Sequence, residues 1–189
     1  YTRNELIARM DSDDISRPDR CEKELTIFQN NPDIDIVSGT IEEFDEAISK
    51  INSRRELPET NDEILEFAKK RNPFNHPAVM FRKSAVEAVG GYEDFYLLED
   101  YYLWIRMLLN GSKGYNIKDP LLYMRAGSDM YRRRSGSRYA KSQKRLFKLM
   151  LTKGFISGKE YMAAVWARTA TSLVPNDIRE KLYKRILRK

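Results

Sequence analysis

Two dense groups of carboxylates stand out in this chain: Asp11, Asp13 and Asp14 near its start, and the adjacent Glu99 and Asp100 in its middle. Each group borders an apolar stretch. Carboxylates held close together repel one another unless a cation or hydrogen-bond donors offset the charge. Hard oxygen ligands suit Mg2+ or Mn2+, above all when substrate phosphates complete the coordination shell. The first group therefore has the chemistry of a divalent-metal site, and the second that of a general base. A turn followed by a helix cap accounts for Asp11 to Asp14 as well, because Asp is common at both. A calcium loop does not. Asp11, Asp13 and Glu22 would fill its first, third and twelfth positions, but Ile15 takes a ligand position and Ser16 replaces the required glycine.

The elements that must position these groups follow from the pattern around them. Leu6 to Met10 reads as a short strand. The aspartates then lie beyond its carboxyl end, where open α/β sheets bind their ligands. Ser16 is expected to cap a helix with Pro18 in its first turn, and Cys21, Leu25 and Phe28 to line its buried face. On that face Cys21 is a packing residue rather than a nucleophile. Asn30-Asn31-Pro32 stops the helix, and Ile34 to Phe44, rich in β-branched residues, reads as a strand. Strand, acidic loop, helix and strand make an α/β unit with its loop at the ligand edge. Farther on, Tyr101, Trp104, Ile105 and Leu108 recur at i, i+3, i+4 and i+7 and predict a helix over 100–109, ended by Asn110-Gly111. Asp100 then sits at a helix N-terminus, whose dipole favours its charge. A working base must also stay basic, so partial burial against the aromatic residues has to oppose that dipole. An ordinary acidic first turn is the alternative.

Four ordered segments carry a resemblance. Arg9-Met10-Asp11-Ser12-Asp13-Asp14-Ile15-Ser16-Arg17-Pro18-Asp19-Arg20 resembles the metal-binding segment of family 2 glycosyltransferases of the GT-A fold. Asn72-Pro73-Phe74-Asn75-His76-Pro77 with Val79-Met80-Phe81-Arg82, then Val89-Gly90-Gly91-Tyr92, then Leu98-Glu99-Asp100-Tyr101-Tyr102-Leu103-Trp104-Ile105-Arg106 continue it, over about residues 6 to 126. The resemblance implies an inverting, hexosyltransferase-type transfer from a nucleotide-diphosphate donor, a UDP-sugar by family habit, to an acceptor hydroxyl. Asp11, Asp13 and Asp14 would hold Mn2+ or Mg2+ and the donor ribose, with Asp13 and Asp14 in the closest contacts. Asp100 would be the general base and Glu99 its neighbour. His76 would touch the acceptor or the donor phosphate, although a structural histidine between two prolines fits the sequence too. Gly90 and Gly91 would let the backbone approach the acceptor, or merely turn. Trp104 on the acceptor side would be core or, if partly exposed, a platform for a sugar face. Arg125 would reach the diphosphate from a loop, with a surface salt bridge as the alternative.

One departure from the family matters. There, most of a nucleotide-binding α/β half precedes the acidic segment, whereas only ten residues precede Asp11 here. The fold class expected is therefore α/β, a partial GT-A fold lacking its N-terminal nucleotide-binding half, and the chain by itself is expected to lack much of the donor pocket. His76 is the one histidine, which rules out a histidine triad or a multi-histidine metal centre. A single cysteine excludes an internal disulfide and fits a reducing, cytoplasmic setting. No apolar run approaches the roughly 20 residues that span a bilayer.

Charge divides the chain. Residues 1–130 hold 17 Lys+Arg against 25 Asp+Glu, and residues 131–189 hold 17 against 3. The first part is read as the metal and acceptor side of the catalytic domain. The second is read as a basic helical extension, with helices near 138–152, 158–173 and 176–188 beyond a break at Met130 to Arg134 and a linker, Ser135-Gly136-Ser137. In the last, Ile178, Leu182 and Ile186 line one face. Tyr161, Trp166 and Tyr183 add aromatic groups of the kind found at membrane interfaces. A basic amphipathic tail suits peripheral attachment to an anionic membrane surface, as for a transferase with a saccharide or lipid-linked saccharide acceptor in cell-surface polysaccharide synthesis. A non-catalytic membrane- or polyanion-binding module is the alternative function. Nucleic acid ranks lowest as a partner, since the acidic part would repel a phosphate backbone.

Overall fold

The computed structural model describes residues 2–126 and 137–172. Its centre is a mixed six-stranded sheet formed by β1 (Leu6–Ala8), β2 (Ile15–Ser16), β3 (Ile34–Phe44), β4 (Ile51–Arg55), β5 (Met80–Arg82) and β6 (Lys113–Arg125). The order is β1-β5-β3-β6-β2, and β4 pairs with β3. β3 and β6 run parallel along their whole length, while the other pairs are antiparallel. The strand expected over 34–44 is β3, and its side chains alternate between two covered faces. Ile36 joins one apolar cluster and Val37 another.

Val37 packs with Phe28 of α1 (Arg20–Asn30). Ile36 packs with Ile64 and Ala68 of α2 (Asn61–Ala68), Val86 of α3 (Lys83–Glu87) and the inner face of α4 (Glu99–Leu109). Helices thus cover both faces of the sheet, which keeps its apolar residues from water. Tyr101, Trp104, Ile105 and Leu108 are all buried on α4, as their spacing predicts, and Gly111 ends the helix with φ +92°. The extension begins with α5 (Ser137–Thr152) and α6 (Gly158–Ser172). Leu146, Phe147 and Met150 of α5 lie in the same cluster as Trp104, so this helix is part of the main core. Trp166 and Met162 of α6 are 76% and 61% exposed. The helix expected at 176–188 and the break expected at 130–134 lie outside the described residues. Among the described residues no helix is long and apolar enough to cross a membrane.

The segment after the aspartates departs from expectation. Ser16 caps no helix. Ile15 and Ser16 pair with Tyr123 and Leu122 of β6, and the Arg17 amide donates to the Leu121 carbonyl at 3.0 Å. α1 starts at Arg20 with Asp19 before it and no side-chain cap. Its buried face is Arg20, Glu24 and Phe28, while Cys21 and Leu25 are exposed. The reason is electrostatic. Arg20 and Glu24 satisfy each other and the surrounding carbonyls inside, so the helix turns its smaller apolar residues outward.

Candidate functional site

The acidic residues bridge the two edges of the sheet. β1 pairs with β5, and the Arg9 amide extends that pairing by donating to the Val79 carbonyl at 2.9 Å. The chain then turns, with the Asp14 amide donating to the Asp11 carbonyl at 3.4 Å, and enters β2 against the carboxyl end of β6. Asp14 is 8% exposed. Its Oδ1 accepts from the Arg125 amide at 2.8 Å, and its buried Oδ2 has no partner. Burial raises the Asp14 carboxyl to about 6; the Arg125 amide opposes that shift, and the charges of Asp11 and Asp13 add to it. Asp11 is held by Arg9, whose Nη1 donates to Oδ2 at 2.9 Å, and Asp13 faces solvent. The three do not form a ready-made cage. Among the described residues no three His, Cys, Asp or Glu side chains converge on one point. Arg125 is exposed, its guanidinium 4.6 Å from the centre of the Phe44 ring and its Nη1 donating to the Asp45 carbonyl at 2.8 Å. That backbone contact replaces the salt bridge offered as its alternative.

The second group forms where α4 begins. Leu97 takes a left-handed conformation with φ +56°, which is rare outside glycine and turns the chain into the helix. Glu99 is exposed, while the Asp100 side chain is 18% exposed. Asp100 Oδ2 accepts from Asn72 Nδ2 and Oδ1 from the Tyr101 amide, both at 2.7 Å. The loop carrying Asn72 is itself anchored. Asn75 Nδ2 donates to the carbonyls of Gly39 and Arg55 at 2.8 and 3.2 Å, and Asn116 Nδ2 donates to the Pro73 carbonyl at 3.1 Å. His76 follows on a short 3-10 turn, His76–Ala78. Its Nδ1 is 4.0 Å from Asp100 Oδ2, and its Nε2 is 2.9 Å from the Tyr92 hydroxyl. Burial lowers the His76 pKa, and the nearby Arg9 charge does so too, against the pull of Asp100 and Asp11. Arg9 and Asp11 thus stand near enough to act on the same imidazole as Asp100.

Trp104 is fully buried, with the rings of His76 and Tyr92 edge-on at 6.1 and 6.4 Å. It is a core residue behind the site rather than a platform. Tyr92 is 44% exposed and takes the outward position. Gly90 and Gly91 adopt φ +83° and +72° in a turn whose carbonyls at Val89 and Gly91 accept from Arg106 at 2.6 Å each. The two glycines thus make a turn whose left-handed backbone favours glycine, and a Cβ at Gly91 would meet no atom of the described residues beyond its chain neighbours within 4 Å.

Sequence reasoning missed four residues around the site. Asn72 and Tyr92 stand inside quoted segments, but an amide and a phenol announce no partner until the chain is folded. Arg20 and Glu24 are spaced i, i+4, the usual sign of a solvent-exposed helical pair, and here they are 2% and 0% exposed.

A mixed α/β sheet covered by helices, with paired acidic groups at one end, defines the class, and comparison with known proteins narrows it. No family model matches the chain. It is similar to a mannosyltransferase from Pyrobaculum calidifontis, solved in complex with GDP-Man and Mn2+, with a TM-score of 0.53 over 93% of this chain and 47% of that one. At 13% identity this is a likeness of GT-A fold alone. The sequence is 42% identical over 186 residues to an uncharacterized glycosyltransferase of Haemophilus influenzae, covering 97% of this chain and 68% of the relative. It is 39% identical to the amylovoran biosynthesis glycosyltransferase AmsE of Erwinia amylovora, over 95% of this chain and 67% of that protein. A UDP-Gal:alpha-D-GlcNAc-diphosphoundecaprenol beta-1,3-galactosyltransferase of Escherichia coli is 37% identical, over 98% and 67%. The chain belongs to this family of bacterial glycosyltransferases of cell-surface polysaccharide biosynthesis.

Proposed function

We propose that the site performs an inverting transfer of a sugar from a nucleoside-diphosphate donor, a UDP-sugar, to a hydroxyl of a lipid-linked saccharide. One observation carries the reading. The Asp100 carboxylate is largely buried, held by two donors at 2.7 Å, and stands beside His76 at the only strained non-glycine backbone turn among the described residues. Asn72 and the Tyr101 amide hold the carboxylate in a fixed orientation, which is what a general base needs. Asp100 takes the acceptor proton as the acceptor oxygen bonds to the anomeric carbon. The bond from that carbon to the diphosphate oxygen breaks, and the nucleoside diphosphate leaves with the electron pair. His76 and the exposed Tyr92 form the acceptor-side wall, with Trp104 packed behind them.

The unpartnered, buried Oδ2 of Asp14 fits a cation ligand. Asp13 and Asp14 would hold Mn2+ or Mg2+, with Asp11 nearby and donor phosphates completing the shell. When bound, the cation supplies charge neutralisation for the departing diphosphate. Arg125, at the end of β6 rather than on the loop expected for it, would assist from beside Asp14. About a third of the length of the relatives lies outside the match, and we assign most of the nucleoside contacts to that portion, not to the described strands.

The test is Asp100→Asn in the full-length protein. Turnover of UDP-galactose with a GlcNAc-diphospholipid acceptor is expected to fall by about 10²- to 10⁴-fold with an unchanged melting temperature. Wild-type turnover in the folded variant would remove the role given to Asp100.

A further inference from the structure

The Arg20–Glu24 pair is used by none of the chemistry above, and its burial needs a reason. Arg20 Nε donates to both Glu24 oxygens, at 3.3 and 3.2 Å. Its Nη1 donates to the Pro77 carbonyl at 3.2 Å, and its Nη2 donates to the carbonyls of Arg9 at 2.8 Å and Val79 at 3.2 Å. One guanidinium thus holds the backbone two residues before Asp11 and the backbone on both sides of Ala78, just after His76. Burying two charges is a poor way to gain stability, since well-packed apolar residues of similar volume serve as well or better. What only a planar guanidinium does is fix several carbonyls in one plane at set angles.

We infer that Arg20 is a positioning residue, which sets the spacing between the acidic loop and the His76 turn so that donor and acceptor meet in line. Glu24 serves to hold the guanidinium in its orientation. This rests on the transfer reading above, because only a reaction joining two half-sites requires that spacing. Each half-site keeps its own contacts when the clamp is lost, so the effect falls on kcat and leaves the KM of donor and acceptor nearly unchanged.

The decisive variant is Arg20→Met/Glu24→Leu, which removes both charges and leaves no unpaired ion in the core. In the full-length protein, with UDP-galactose as donor probe, kcat is expected to fall by about 10²-fold, the cost of misplacing reactants by about 1 Å. Glu24→Gln, which still accepts from Arg20, is expected to stay within about twofold of wild type, and Arg20→Lys to behave like the double variant. His76 is the only histidine of these 189 residues. Its imidazole NMR signal, identified by its loss in His76→Gln, reports the turn without any donor, and it should move in the double variant and in Arg20→Lys but not in Glu24→Gln. A folded double variant with wild-type kcat and an unmoved His76 signal overturns the inference. If the double variant does not fold, equal kcat and equal His76 signals in Arg20→Lys and Glu24→Gln overturn it instead. Asp100→Asn serves as the control. If that variant is inactive while the clamp variants are normal, the clamp alone fails; if Asp100→Asn turns over normally, the transfer reading fails first.

Discussion

Asp14 shows how much one side chain can be asked to do. It closes the acidic loop on the Arg125 amide, yet its second oxygen is sealed from water without a donor. Its carboxyl therefore holds a proton more tightly in the folded chain than in the unfolded one, at about 6 against an ordinary 3.8. A raised carboxyl gives stability that is present at low pH and is lost as pH rises through the folded value. Without metal, Asp14→Asn should thus gain on the wild type as pH rises from 4 to 7, by on the order of 2 kcal/mol, in paired thermal melts. Mn2+ should reverse the ranking by stabilising only the wild type. A stability difference that does not change with pH would mean that Asp14 finds a donor in solution.

At the level of elements, the site depends on the contact between β3 and β6. Gly39 lies where their register shifts, and a Cβ there would stand 2.6 Å from Leu121 Cδ1 and 2.9 Å from the Ile117 carbonyl oxygen. The backbone oxygen cannot swing aside. Gly39→Ala should cost about 1–3 kcal/mol in denaturant unfolding and move the Asn75 amide that donates to the Gly39 carbonyl. Several elements were legible beforehand. The run of β-branched residues at 34–44 and the i, i+3, i+4, i+7 apolar face of α4 are local patterns, and both elements are present, as are the two helices expected near 138–152 and 158–173. α1 was misread for the opposite reason. Its inner face is polar, so the apolar periodicity of Cys21, Leu25 and Phe28 pointed to the wrong side. The two-residue strand β2 has no period at all and exists only because β6 passes beside it. At the candidate site, Asp14, Asp100 and His76 were singled out by residue type and motif order, and their roles stay with the proposal. Asn72, Tyr92 and Arg20 make contacts to groups 11 to 59 residues away, which no local pattern records.

For the molecule as a whole, charge and packing mark different boundaries. The basic composition of residues 131–189 suggests an appendage, but α5 buries Phe147 to 1% exposure, edge-on to Tyr101 of α4 at 6.5 Å. Phe147→Ala should therefore cost about 3–5 kcal/mol in global unfolding rather than loosen the extension alone. Melting of α5 apart from the rest, with the sheet untouched, would be the contrary result. The fold is also ordered in time. The Asp14 carboxylate waits for a backbone amide 111 residues later in the chain, and β3 waits for β6 over a shorter interval. At ribosomal speeds of about 5–20 residues per second, the acidic loop spends roughly 6 to 20 seconds of synthesis without its anchor. A nascent chain stalled short of Arg125 consequently carries every aspartate of the site but cannot yet close the loop that holds them.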